Sequence, residues 1–302
     1  MKMHNLRDLL AIAEKGSINA AAKHLGIAQP ALSRSVRTLE REIGVALLER
    51  QNSGATLTPM GAQFARRAGV ALHELRSAQE EVRQMEGAVS GTVTACVSSV
   101  SHIALLGEAL RPFYLRYPNV QVRIIEGVYP VIEGRLKSGH MDFYVGPPPE
   151  GGPGADLHML KLFDNARLVM GRIGHPLAGA RSLAELAGAD WISTSITTHA
   201  EEELSGHFLR QGLPPPRIAF HAESALSWIT AAASTDMLVV SPVQWVDSPL
   251  TRQVLAPIPI DEVLAAPPIV LIHRGALPPT PAAEYLCDLM RRPAERIRAK
   301  NR

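Results

Sequence analysis

Three arginines, Arg34, Arg37 and Arg41, recur at spacings of three and four between Ala28 and Gly44, so on a helix they form one row. Gln29 and Ser33 stand just ahead of them on the same side. Guanidinium and carboxamide groups in such a row suit two tasks, paired contacts to purine edges and ionic contacts to phosphates. A second set lies in the C-terminal part, where Ser98-Ser99 and Thr194-Ser195 place hydroxyls at the ends of apolar runs. Cys96, Ser98 and His102 are also close enough in sequence to raise the question of a nucleophile and its base. No Gly-x-Ser-x-Gly elbow surrounds Ser98 and no acidic residue is placed to orient His102, so no catalytic residue is expected. Alternation along the run turns Cys96 inward as a small core residue. Cys96 and Cys287 give no disulfide framework, and the eleven histidines are dispersed. Neither a metal nor a cofactor is expected.

The 302 residues are 46% hydrophobic and 20% charged, a globular composition. This length suffices for two or three domains with their own cores. The longest uncharged apolar stretch, near 264–272, is about half of a bilayer span. Charge is scattered through the first sixteen residues, unlike the core of a signal peptide. A cytoplasmic protein with no membrane partner is expected. The net charge of +2 is unevenly spread, with ten Lys/Arg against five Asp/Glu in residues 1–67 and 21 against 24 in the remainder. A basic end on a slightly acidic body is the footprint of a nucleic-acid-binding head.

The elements that must position the arginine row can be read around it. Leu6, Leu9, Leu10, Ile12 and Ala13 predict an amphipathic helix stopped by Gly16-Ser17. Asn19 is expected to cap a second short helix, Ala20 to Leu25, and Gly26 to supply the turn. The third helix has Pro30 in its first turn and Ala31, Leu32, Val36, Leu39 and Ile43 as its apolar face. This is a helix-turn-helix, whose second helix enters the major groove. Gln29, Ser33 and Arg34 are then placed to read bases, and Arg37 and Arg41 to hold phosphates or pair with Glu40 and Glu42. "VALLERQNSGATLTP" reads as a hairpin wing with Asn52-Ser53-Gly54 at its tip and Arg50 at its shoulder. The head would span 1–58. Thr58-Pro59 opens a connecting helix over 59–89, along which Phe64, Ala68, Ala71, Leu75, Ala78, Val82, Met85 and Val89 alternate in steps of four and three. That heptad seam favours pairing with a second copy, although a helix lying on its own domain shows a similar stripe.

From residue 90 strands and helices alternate, which predicts parallel α/β architecture. "GPPPEGGPGAD", Gly146 to Asp156, reads as a connection only. In the second α/β set "SLAELAG" is expected to form a short helix, with Ser182 and Glu185 as a capping box. After Pro267 the chain returns with "PPIVLIHRG" and a last helix from Thr280 to Arg291, followed by a frayed basic tail. One lobe is thus expected at about 90–164 plus 266–302 and the other at about 165–265. Ligands of open α/β sheets sit at the carboxyl ends of strands. The expected site comprises Ser98, Ser99, Val100, Tyr129, Gly146, Thr194, Ser195, Ser224 and Ser241, with Tyr129 and Trp228 as aromatic walls. Helix N-termini and hydroxyls facing one cleft favour an organic anion, though each hydroxyl equally suits capping its own helix.

"SINAAAKHLGIAQPALSRSVRTLEREIGVALLERQNSGATLTPMG", Ser17 to Gly61, resembles the DNA-binding head of LysR-type transcriptional regulators almost residue for residue. The resemblance implies that Gln29, Pro30, Ser33 and Arg34 meet the major groove and that Arg50 reaches the minor groove. Leu48 stands where a phenylalanine is usual, and Gln51-Asn52-Ser53 lacks the common basic residue, which implies fewer phosphate contacts from the wing. Gly91 to Arg302 resembles the effector-binding half of the same family, itself similar to periplasmic solute-binding proteins. The implied architecture is α + α/β: a winged helix-turn-helix, a long linker helix and a two-lobed α/β effector domain. The implied partners are double-stranded operator DNA, a small-molecule effector, RNA polymerase, and further copies of the chain in a homotetramer built as a dimer of dimers. "EGVYPVIEGRLKSGHMDF", "GLPPPRIAFHAES" and "LPPTPAAEYL" resemble more particularly regulators of aromatic-acid and sulfonate breakdown, toluenesulfonate regulators among them. That implies an aromatic carboxylate or sulfonate as effector.

Overall fold

A computed structural model of the chain describes residues 1–51, 54–87, 89–129, 132–194, 200–275 and 279–300, the side chains of 50, 51, 54, 299 and 300 excepted. It divides into two units, Met1–Ala88 with Gly134–Met141, and Val89–Glu133 with Asp142–Arg302.

In the first unit the apolar spacing of the N-terminal segment becomes three helices, α1 (Met3–Lys15), α2 (Ile18–Leu25) and α3 (Gln29–Ile43). Leu6, Leu9 and Ile12 of α1 bury against Leu32, Val36 and Leu39 of α3, with Ala21 and Ala22 of α2 small enough to let the helices approach. Gly26 turns the chain between α2 and α3 at φ 66°, where a Cβ would be strained, and Ile27 N–H closes back on the Ala22 carbonyl at 3.1 Å. The cap of α2 is Ser17, whose hydroxyl accepts the Ala20 N–H at 3.1 Å, and not Asn19. The helix therefore starts two residues earlier than expected, because Asn19 lies within it. Ala31 is exposed, so the buried face of α3 is narrower than the sequence pattern suggested. A two-stranded hairpin, β1 (Leu48–Gln51) and β2 (Gly54–Leu57), follows. Thr58 then caps α4 (Pro59–Met85), accepting the Gly61 N–H at 2.9 Å.

In the second unit β3 (Ser90–Val97) leads through the three-residue α5 (Ser99–Ser101) and a π-turn, His102–Leu106, into α6 (Gly107–Arg116). Then come β4 (Asn119–Glu126), β5 (Phe143–Gly146), β6 (Leu157–Phe163) and β7 (Ala166–Arg172), while α7 (Glu133–Lys137), between β4 and β5 in the chain, belongs from Gly134 on to the first unit. They are followed by β8 (Asp190–Thr194), α8 (Ala200–Arg210), β9 (Arg217–Ala222), α9 (Ala225–Ser234) and β10 (Leu238–Pro242). β11 (Leu255–Ile258), β12 (Leu264–Ala265), β13 (Ile269–Arg274) and α10 (Pro281–Lys300) complete the chain. One sheet has the order β4-β3-β5-β13-β6 and the other β11-β7-β10-β8-β9, with β12 also on β7. Each lobe is parallel at one side, β3 with β4 and β5, β8 with β9 and β10. The returning strand β13 runs antiparallel to β5 and β6, and β7 antiparallel to β10. The sheets are thus mixed, where alternation alone predicted parallel ones.

Two local expectations are corrected. Residues 182–188 form turns rather than a helix, although the capping pair exists, Ser182 Oγ donating to Glu185 at 3.1 Å. The last helix runs on to Lys300, because Ala294 is buried and Arg296 pairs with Glu108. Among the described residues no helix is long and apolar enough to cross a membrane, and no group of three or more His, Cys, Asp and Glu could hold a metal ion.

Candidate functional site

On α3 the core takes one side and leaves Gln29, Pro30, Arg34, Arg37 and Arg41 exposed. Gln29 Nε2 donates to Ser33 Oγ at 3.0 Å, so these two polar groups are held together one turn apart. Among the described residues none of the three arginines is in an ion pair; only Arg41 has a side-chain partner, Thr38, at 3.2 Å. The carboxylates expected beside them are engaged elsewhere. Glu40 accepts the N–H groups of Leu47 and Leu48 at 2.8 and 3.1 Å, fixing the hairpin to α3, and Glu42 pairs with the N-terminal ammonium at 3.0 Å. The cationic row is therefore uncompensated, as a surface for phosphates needs to be. Arg50 pairs through its backbone with Ala55, and its side chain lies outside the described residues, as do Asn52 and Ser53.

Along α4 the heptad positions split. Ala68 is buried in the head's own core and Phe64 is half-buried against it. Val89 packs on the core of the second unit. Ala71, Leu75, Ala78, Val82 and Met85 are exposed, Leu75 at 47% and Met85 at 77%. The stripe thus serves two surfaces: its first turns close the head, and its later turns leave apolar side chains without cover in the single chain.

Between the two lobes of the second unit lies a cavity of about 90 Å³ lined by Ser99, Glu126, Thr194, Glu223, Ser224 and Trp228, among others. Trp228 is buried edge-on against Trp245, with ring centroids 5.0 Å apart. A larger cavity of about 700 Å³ shares Val128 with it and is lined by Tyr129, Glu133, the Pro147–Gly154 loop and Glu203. The proline-rich loop therefore walls a cavity and is more than a connection. Tyr129 is buried edge-on against Tyr144, 5.4 Å between centroids, and its hydroxyl has no partner among the described residues. Burial, with the Glu133 carboxylate beside it, pushes the Tyr129 phenol up to about 12, so it remains a hydrogen-bond donor.

The other expected residues do not all face ligand. Ser98 is buried with its Oγ on Ser101 Oγ at 2.9 Å, and Val100 points into the hydrophobic core. Ser241 is fully buried in β10, where most positions are buried on both sides, and lines neither cavity. Gly146 is packed so tightly that a Cβ would meet the Tyr144 hydroxyl at 2.3 Å and Ser98 at 3.0 Å. It offers a ligand no side chain and lines neither cavity. Ser224 caps α9, accepting the Ser227 N–H at 3.2 Å, while still lining the smaller cavity. Ser195 lies outside the described residues. Of the hydroxyl set, the structure brings Ser99, Thr194 and Ser224 together.

Sequence reading missed Arg167. Its side chain is only 6% exposed; one terminal nitrogen pairs with Glu203, while Nε and Nη2 are buried with no partner among the described residues. Leaving a buried donor unsatisfied costs about 1–3 kcal/mol, more for a charged group. Arg167 also lines a third cavity, of about 20 Å³, with Ser193, Thr194, Glu201, His207 and Val240 among others. Burial, with Arg210 and Arg167 nearby, holds His207 below its ordinary 6.5.

The sequence profile of the LysR substrate binding domain matches residues 86–294, and that of the bacterial regulatory helix-turn-helix protein, lysR family, matches residues 3–62. The chain is 29% identical over 242 residues to the HTH-type transcriptional regulator GbpR of Rhizobium radiobacter, which covers 78% of this chain and 80% of GbpR. It is 25% identical over 253 residues to the HTH-type transcriptional regulator TdcA of Escherichia coli K12, covering 84% and 80%. Its fold is similar to the crystal structure of CbnR, a LysR family transcriptional regulator, with a TM-score of 0.67 at 21% identity, over 97% of this chain and 99% of CbnR. CbnR has also been solved in a complex with its target DNA. These relatives are regulators and not enzymes.

Proposed function

We propose, for a chain that belongs to the LysR family of bacterial helix-turn-helix regulators, a transcriptional switch in which an organic acid controls how the heads engage an operator. The head reads double-stranded DNA through Gln29, Pro30, Ser33 and Arg34, with Arg37 and Arg50 on the phosphate backbone. The exposed stripe Ala71, Leu75, Ala78, Val82 and Met85 pairs two copies, and two such dimers make a tetramer. The effector is an aromatic carboxylate or sulfonate held between the lobes, with Ser99, Thr194 and Ser224 as hydrogen-bonding groups and Tyr129 and Trp228 as apolar walls. The site of action is the cytoplasm, with RNA polymerase as a further partner.

One observation carries the DNA reading: a row of exposed arginines, free of ion pairs among the described residues, on a helix whose opposite face is the head's core. Among the described residues the row makes no ion pair, and its one side-chain hydrogen bond is that of Arg41 to Thr38. Its charge is available to phosphates and base edges. The effector reading is supported by hydroxyls from both lobes lining one cavity beside a buried indole. Gel-shift titration of the purified chain on its operator, with and without aromatic acids, tests both parts. An acid that alters operator affinity or footprint is expected, and Ser99→Ala and Thr194→Ala should each require several-fold more of it. An operator complex indifferent to every acid in the panel would overturn the effector reading alone.

A further inference from the structure

We propose that Arg167 is the seat of the effector's charged end and that the group it takes is a planar carboxylate. This rests on the organic-acid reading above and deepens it by naming the residue and the headgroup. The guanidinium is more than nine-tenths buried, and Glu203 holds one of its terminal nitrogens. Nε and Nη2, which have no partner among the described residues, share one edge of the guanidinium and point their N–H groups the same way. That edge closes a two-bond ring with the paired oxygens of a carboxylate. The chain uses the same edge elsewhere: Arg217 donates from Nε to Asp190 Oδ1 at 2.6 Å and from Nη2 to Asp190 Oδ2.

The surroundings select the ligand class. Two parallel donors with no acceptor between them are best met by two acceptor atoms, and an ammonium, which has none, is excluded. The cavity that Arg167 helps to line measures about 20 Å³, room for a small group only; Ile192, Leu204, Val240 and Leu264 give it hydrocarbon walls, and Ser193, Thr194, Glu201 and His207 share the lining. A flat carboxylate fits there better than a tetrahedral sulfonate. Thr194 belongs to this cavity and also to the one containing Ser99, Ser224 and Trp228, so a headgroup on Arg167 lets the body reach past Thr194 toward the indole. Glu126 and Glu223 line that second cavity. The far end of the ligand is then uncharged or a hydrogen-bond donor, because a second anionic group would meet two carboxylates.

Calorimetry and thermal unfolding of the full-length protein test this with acetate, benzoate, benzenesulfonate and benzamide as probes. Acetate and benzoate are expected to bind the wild type and raise its melting temperature, and the sulfonate and amide to do neither. Arg167→Met should weaken benzoate at least tenfold. Arg167→Lys keeps a cation beside Glu203 without the two-pronged edge and should also weaken it several-fold. Circular dichroism reports whether each variant is folded, and if the methionine variant is not, the lysine variant decides. Unchanged benzoate affinity in the folded variants would overturn the role of Arg167 and leave the organic-acid reading standing. Benzenesulfonate binding as tightly as benzoate would overturn the planar headgroup. No binding of any acid by the wild type would remove both readings.

Discussion

Gly61 on α4 sits so close to Leu47 that a β-carbon there would lie 2.0 Å from the Leu47 carbonyl oxygen. The same carbonyl accepts the Thr58 N–H at 3.0 Å, and Thr58 Oγ1 donates to the Ala46 carbonyl at 2.9 Å. Backbone on both sides leaves no flexible side chain to yield. We expect Gly61→Ala to destabilise the head by ~1–3 kcal/mol, as overpacking does. Scanning calorimetry should show an earlier unfolding transition; an unshifted thermogram would mean that α4 can slide away without loss.

That contact shows how far the sequence could be read. Thr58-Pro59 announced the start of α4 because capping is local chemistry, and the apolar spacing of α1 to α3 announced the head because its period is set by helix geometry. Ser17 and Asn19 are both good caps by residue type, and the extended backbone of Ser17 with its bond from the Ala20 N–H makes it the cap used. The close approach at Gly61 depends on residues fourteen apart meeting in space, which spacing does not encode. In the body, alternation placed Ser98 and Ser241 at strand ends but could not say that both turn inward. Arg167 left one faint signal. It lies two residues before the buried Val169 on β7, and a cation at such a position is an anomaly worth pursuing.

The linker stripe separates two outcomes. Leu75→Glu sets like charges face to face if copies pair there, and sedimentation should show smaller species or aggregates with a still-folded head. Ala68→Glu instead buries a carboxylate in the head's core and should unfold it. If Leu75→Glu sediments as the native oligomer, the chain associates through another surface.

Acid should weaken the fold through His207 and His140. Burial, then Arg210 and Arg167, lowers His207, with Glu203 opposing; burial, then Arg76 and Arg135, lowers His140, with Glu14 opposing. Both resist protonation when folded but accept protons in the unfolded chain from 6.5 downward, so the unfolded state binds more protons there. Stability therefore falls as the pH drops below 6.5 toward the lowered folded values. Urea midpoints at pH 7.5 and pH 5 should differ less in His207→Gln than in the wild type. Equal losses would place the acid sensitivity elsewhere.

Salt dependence sorts the arginines of the head. Arg34→Ala should cost ~1–3 kcal/mol in operator binding and relax preference at one base position, whereas Arg37→Ala and Arg50→Ala should each lower the slope of log affinity against log salt by about one. Anisotropy titrations at stepped salt measure both. A uniform loss over all sequences for Arg34→Ala would move it from base reading to phosphate contact.

The central claim is that this chain reads DNA sequence through α3. Repeated selection from a random duplex pool by the purified full-length chain tests it most directly. We expect enrichment of a partly symmetric site with two half-sites, and a degenerate pool from Arg34→Ala under the same salt. A wild-type pool with no enriched sequence, or the same site enriched equally by Arg34→Ala, would contradict it.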